Sequence, residues 1–185
     1  MKSIRIMAIL FCLFSSSAYA QVSFTKTGKV QFDATAVSSP ERIEAVTHTA
    51  TAVLDTRNGQ LQFSILIKSF VFERALMEEH FNENYMESDK YPKAEFKGNV
   101  MNLAGGDFAK DGAYNVKVKG KLTLHGESRD IETTGKLEIK GALIQATASF
   151  QIALADYKIS VPSLVADKVA KTARINVDCK LEPLK

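Results

Sequence analysis

From Tyr114 to Leu124 the chain alternates between two kinds of residue. Tyr114, Val116, Val118, Leu122 and Leu124 fall on one parity, and Asn115, Lys117, Lys119, Lys121 and Thr123 on the other. A period of two describes a strand with one wet and one dry face, and the dry face must be buried against something. The pattern recurs along the chain. Val30, Phe32, Ala34 and Ala36 alternate with Lys29, Gln31, Asp33 and Thr35 until Ser38, Ser39 and Pro40 break the run. Glu44 to Leu54 places Thr47, Thr49 and Thr51 on one side and His48, Ala50 and Ala52 on the other. Asp55, Asn58 and Gly59 then supply hairpin chemistry before Leu61, Phe63, Ile65 and Ile67. Weaker alternation over Ala94 to Leu103 ends at Gly105, Gly106 and Asp107. After the central strand, Ile131, Thr133, Gly135, Leu137 and Ile139 share one face, as do Ala142, Ile144, Ala146, Ala148, Phe150, Ile152 and Leu154. An irregular piece, Ala155 to Ala170, precedes a last strand with Ala173, Ile175, Val177, Cys179 and Leu181 inward.

Eight strands in hairpin succession either close into a barrel or stack as a sandwich. One stretch departs from the pattern. Between Phe70 and Phe96, residues Phe72, Leu76 and His80 recur at helical spacing with Met77 and Phe81 beside them, and Glu73, Glu78, Glu79 and Glu83 opposite. This predicts a short amphipathic helix between the third and fourth strands, anchored by Phe72, Leu76, Met77 and Phe81, with His80 at its edge. Asn82, Asn84 and Ser88 lead to Pro92, which denies Tyr91 the helical region. Tyr85 to Pro92 is expected to be a hinge from that helix to the fourth strand.

Lys2 and Arg5, the apolar run Ile6–Phe14 and Ala18-Tyr19-Ala20 have the three parts of a secretory signal peptide. Residues 1–20 are therefore expected to be removed, leaving a single domain over 21–185 that begins at Gln21 in the periplasm. The apolar run is too short to span a bilayer, and no later stretch is long enough. Loss of two cations takes the net charge from +3 to about +1, which argues against nucleic acid as a partner. Cys179 is then the remaining cysteine, and its parity with Ile175, Val177 and Leu181 makes it an inert core thiol.

No catalytic or metal constellation emerges. His48, His80 and His125 share no ligand spacing; Glu79 and Glu83 beside His80 read more simply as the solvated face of a helix, with His80 packed at the rim against a loop carbonyl. There is no G-x-S-x-G turn for a serine nucleophile. Lys117, Lys119 and Lys121 read as outward lysines that keep a sheet soluble and unpaired. More informative are the small inward residues Ala50, Ala52, Gly120, Gly135, Ala146 and Ala148. Interiors are not left empty. Either Phe63, Phe96, Tyr114 and Phe150 fill the space, or a ligand does, and both readings stay open at this point. Gly120, on the inward parity, permits a bend or a close backbone approach.

Three segments carry a family resemblance: LMEEHFNENYMESDKYPKAEF at 76–96, VKGKLTLHGESRDI at 118–131 and ALADYKISVP at 153–162. Together they resemble the YceI-like family of exported, polyisoprenoid-binding, lipocalin-like proteins, over nearly all of the chain beyond residue 20. The resemblance implies an all-β, eight-stranded antiparallel barrel with a helical element at its rim. It also implies an isoprenoid or other long apolar chain held inside, without enzymatic chemistry or cofactor. The connection between the sixth and seventh strands is shorter than in many relatives, a turn at Gly141, which bears on the pocket mouth. On this reading Phe63, Ile65, Ile67, Val116, Val118, Ile144, Ala146, Ala148 and Phe150 are expected to touch the chain. His80, Tyr85, Lys90 and Tyr91 are expected at the rim, near a polar headgroup. The alternative is an unliganded exported barrel acting as a protein-interaction or stress-related module, and a homodimer is left open.

Overall fold

The computed structural model describes residues 22–103 and 105–184, so the expected signal segment lies outside the described residues. Within them the strands are β1 (Val22–Thr35), β2 (Glu44–Asp55), β3 (Gln60–Leu66), β4 (Val71–Phe72), β5 (Lys93–Val100), β6 (Gly112–Leu124), β7 (Glu127–Lys140), β8 (Leu143–Ala153) and β9 (Val169–Pro183). Pairing runs β1-β9-β8-β7-β6-β5-β3-β2 and returns from β2 to β1, so eight strands close an antiparallel barrel. The two-residue β4 pairs with the rim end of β2, Ala45 facing Phe72, and takes no part in closure.

Six of the barrel strands bury the faces their alternation marks, for the reason already given: one face is apolar and the barrel has one inside. The β1–β2 pair is the exception. Thr25 faces Ala52, Gly28 faces Ala50 and Val30 faces Thr47, so each strand carries one extra residue around that point. Such a bulge reverses parity. Thr47 therefore turns inward with Ala50 and Ala52, while His48 and Thr49 are exposed together, against the simple alternation of the sequence. The reversal is stabilised locally. The Thr49 N–H donates to Thr47 Oγ1 at 3.2 Å, and the Thr47 hydroxyl bonds Ser69 Oγ at 2.8 Å. On β1 the Thr27 N–H makes the matching bond to Thr25 Oγ1 at 3.2 Å.

One end of the barrel is plugged. A short turn, Gly105–Ala109, inserts Phe108 beneath Leu54, Val100, Leu137, Ile139, Ile144 and Leu181. The Gly141 turn lies at this end, its N–H held by the Asp111 carboxylate at 2.7 Å, so the short β7–β8 connection shapes the floor and not the mouth. Sequence alternation gave no sign of Phe108 because it sits in the irregular stretch after β5. Gly98 and Gly120 face each other across β5 and β6. A Cβ on Gly120 would stand 2.4 Å from the Lys97 carbonyl and 2.7 Å from the Phe96 ring, so the glycine serves the close approach.

The β7–β8 seam differs from its neighbours. β7 pairs with β6 from Leu124↔Glu127 to Gly112↔Ile139. With β8 it pairs only from Gly135↔Ala148 to Lys140↔Leu143. β8 meanwhile pairs with β9 without interruption, from Ile144↔Leu181 to Ala153↔Thr172.

Cys179 is 1% exposed and burial pushes its thiol up to about 12. With so little thiolate at neutral pH, it is expected to resist a disulfide reagent such as Ellman's reagent in the folded protein and to react once urea unfolds the chain. Rapid reaction without denaturant would show that the β1–β9 wall opens locally.

Candidate ligand-binding cavity

Above the Phe108 floor the barrel encloses a cavity of about 580 Å³, within the range of about 300–1,000 Å³ typical of small-molecule sites. Leu61, Phe63 and Ile65 line it over roughly 13 Å of β3 at about 3.3 Å per residue, and Ile67 in the turn that follows carries it further. Small side chains make the room: Ala146 and Ala148 face Leu137 and Gly135 across β7 and β8, and Ala52 faces Phe63. The lining is predominantly apolar. Glu41, Arg74, His80 and Lys168 border it at the end away from the floor, where the Arg74 guanidinium pairs with the Glu41 carboxylate.

That end is covered by α1 (Ala75–His80) and a wider π-helical turn, Phe81–Tyr85. The helix is shorter than its pattern suggests, and Phe72 belongs to β4 and not to it. None of its residues is buried, and Leu76, expected as an anchor, is 61% exposed while still lining the mouth. Met77 and Phe81 pack against the cluster of Val30, Phe70 and Phe72, and Phe81 makes the ring contacts. Its ring stacks on Phe32 at 5.3 Å and meets Phe70 and Phe72 at 5.9 and 5.0 Å. Aromatic pairs add about 0.5–1.5 kcal/mol each beyond area burial.

Of the expected interior residues, Phe63, Ile65, Ile67, Val116, Val118, Ala146, Ala148 and Phe150 border the cavity. Ile144 does not: it lies in the packed floor with Ile139 and Leu181. His80 and Tyr85 border the cavity, but Lys90 and Tyr91 do not. The Lys90 ammonium instead sits over the Tyr91 ring at 4.8 Å, and that ring stands edge-on to His125 at 4.7 Å. Among the described residues no three His, Cys, Asp or Glu side chains gather to hold a metal, and no helix is long and apolar enough to cross a membrane.

A family model described as a YceI-like domain matches residues 14–181. The chain belongs to the YceI-like family. No curated protein matches its sequence. A polyisoprenoid-binding domain from Saccharophagus degradans, implicated in plant cell wall breakdown, is 18% identical with a TM-score of 0.76, covering 89% of this chain and 99% of that one. Burkholderia cenocepacia BcnA is 19% identical with a TM-score of 0.65, covering 83% and 95%. A Campylobacter jejuni YceI protein is 17% identical with a TM-score of 0.57, covering 74% and 81%. These likenesses show a shared fold.

The segments that resemble YceI-like proteins meet in space at one buried histidine. His125 Nδ1 donates to the Tyr157 carbonyl at 3.0 Å, and Nε2 faces the Glu87 carboxylate at 2.8 Å. The acceptor carbonyl fixes Nδ1 as a donor. Beside this contact, Lys158 pairs with Glu127 at 2.6 Å, which holds the Glu127 carboxyl below its ordinary range. Among the described residues the non-glycine positions with positive φ are Glu87, His125 and Lys158, all in this clasp. Such backbone is unfavourable and persists only where the surroundings impose it. Met86 and Ser88 are buried, and the Tyr91 N–H returns to the Glu87 carbonyl at 2.9 Å. Tyr85 to Pro92 is therefore a pinned segment and not the expected hinge. Sequence reasoning passed over His125 as a site residue because a histidine in a turn has no partner until three distant segments are brought together.

Proposed function

We propose that this YceI-like protein holds an isoprenoid or similar long apolar chain inside its barrel, as a carrier or sequestering protein that performs no chemistry. The observation that carries this reading is the apolar cavity, closed at one end and deep enough for an extended chain. Each five-carbon unit moved from water into such a site gains roughly 3–4 kcal/mol at about 0.8 kcal/mol per methylene, before ordering costs. The polyisoprenoid binding named for the Saccharophagus domain supports the same ligand class. We place the interior contacts on Phe63, Ile65, Ile67, Val116, Val118, Ala146, Ala148 and Phe150, with His80 and Tyr85 toward the headgroup. The signal-like segment 1–20 supports export to the periplasm, with the mature chain starting at Gln21.

Native mass spectrometry of the purified protein, followed by organic extraction and lipid analysis, tests the proposal. Near-stoichiometric prenyl lipid is the expected result. A protein that carries no lipid and takes up none from prenyl-alcohol-loaded vesicles would reject it.

A further inference from the structure

The β7–β8 seam is paired at its floor end and unpaired toward the rim. Continuing the register past Gly135↔Ala148 would set Thr133 against Phe150, Glu132 against Gln151 and Ile131 against Ile152, yet none of these pairs forms. The unpaired stretch is bounded at both ends. Below, Gly135 lies so close to β8 that a Cβ would stand 2.9 Å from the Thr147 carbonyl. Above, the His125–Tyr157 bond and the Lys158–Glu127 ion pair tie the β6–β7 turn to the chain leaving β8. Held at two points and free between them, the strands leave a window about six residues long, or roughly 20 Å at about 3.3 Å per residue.

The two sides of this window differ in chemistry. Glu132 and Gln151 form its outer lips and are exposed, together with Asp130 and Ser149. Ile131 and Phe150, immediately inside, line the cavity. Along these edges no β7–β8 ladder seals the wall. At the rim, by contrast, opening would require parting Phe81 from three phenylalanines and Arg74 from Glu41.

We propose that the β7–β8 window, lipped by Glu132 and Gln151, is a side port through which an apolar chain enters and leaves the cavity. The inference rests on the ligand reading above and adds the route. A ligand that slides in lengthwise between two strands leaves the Phe81 cluster and the His125 clasp intact. The rim helix is then a fixed cover.

Two cross-linked variants separate the routes. In one, Glu132→Cys and Gln151→Cys are joined by a bis-maleimide, which bars the window. In the other, Glu41→Cys and Arg74→Cys are joined in the same way, which locks the rim. The buried Cys179 thiol does not compete for the reagent. Loading of dansyl-geranylgeraniol from phosphatidylcholine vesicles is followed by stopped-flow fluorescence, with equilibrium occupancy measured separately. Barring the window is expected to slow loading at least about tenfold, equivalent to ~1.4 kcal/mol of barrier, while locking the rim leaves the rate within about twofold. The reverse pattern, or equal rates in both, overturns the side port. If the unmodified protein takes up no probe at all, the ligand reading fails instead, so the two failures are distinguishable.

Discussion

Replacing Ala148 with phenylalanine is expected to empty the barrel of ligand while leaving it folded. Ala148 lines the cavity beside Gly135, at the last pair before β7 and β8 part. A phenyl ring there projects into open space, where it occupies the path of the chain. The bound ligand would lose contact with at least one isoprene unit, roughly 3–4 kcal/mol at about 0.8 kcal/mol per methylene, or more than about a hundredfold in affinity. Filling a void adds packing, so the urea midpoint is expected to stay constant or rise. Titration with dansyl-geranylgeraniol, paired with urea unfolding of the lipid-free protein, reads both quantities. Unchanged affinity in a folded Ala148→Phe protein would mean that the chain, if bound, lies elsewhere.

His125→Leu is expected to do the opposite, with a large loss of stability from a position that does not line the cavity. The substitution keeps the turn but strands the Tyr157 carbonyl and the Glu87 carboxylate, and puts a branched residue at φ 50°. A buried acceptor left without its donor costs about 1–3 kcal/mol, while the left-handed backbone at this position is a cost the wild type already bears. Glu87 is partly exposed, so its share is discounted. A net loss of about 1–3 kcal/mol in urea unfolding is the expected outcome. His125→Gly removes the ring but relaxes the backbone, so it should fall between wild type and His125→Leu. A His125→Leu protein of wild-type stability would reduce the clasp to incidental contact.

Strand-level structure was legible because period-two alternation is imposed wherever one face meets solvent and the other does not. That held from Tyr114 to Leu124 and along β7, β8 and β9. It failed at Thr47, where a bulge in each of two strands reversed parity, since a bulge is a property of the pair and neither strand carries its mark. The cavity was half legible. Inward alanines and glycines announced space, but only the partition of the barrel by Phe108 decided that Ile144 is floor while Ala146 is wall. Leu76 illustrates the limit of helical periodicity: spacing told which side of the helix it shares with Met77, but not that this side meets an opening. The clasp could be found only as a recurring string of letters. Its physical basis joins residues 38 and 32 positions apart.

The first and last strands of the barrel are neighbours, with Ser23 opposite Pro183 and Phe32 opposite Ile175. No stretch shorter than the whole domain can therefore complete the wall. Until β9 arrives, the unoccupied edges of β1 and β8 stand open to any extended chain nearby, and an unmatched edge is a template for aggregation. Contacts of such long sequence separation also slow folding, because loop entropy must be lost before the pairing energy is gained. A C-terminal truncation that removes β9 thus leaves not a shortened barrel but a curled sheet with two reactive borders, and the last strand acts as the molecule's safeguard against its own kind.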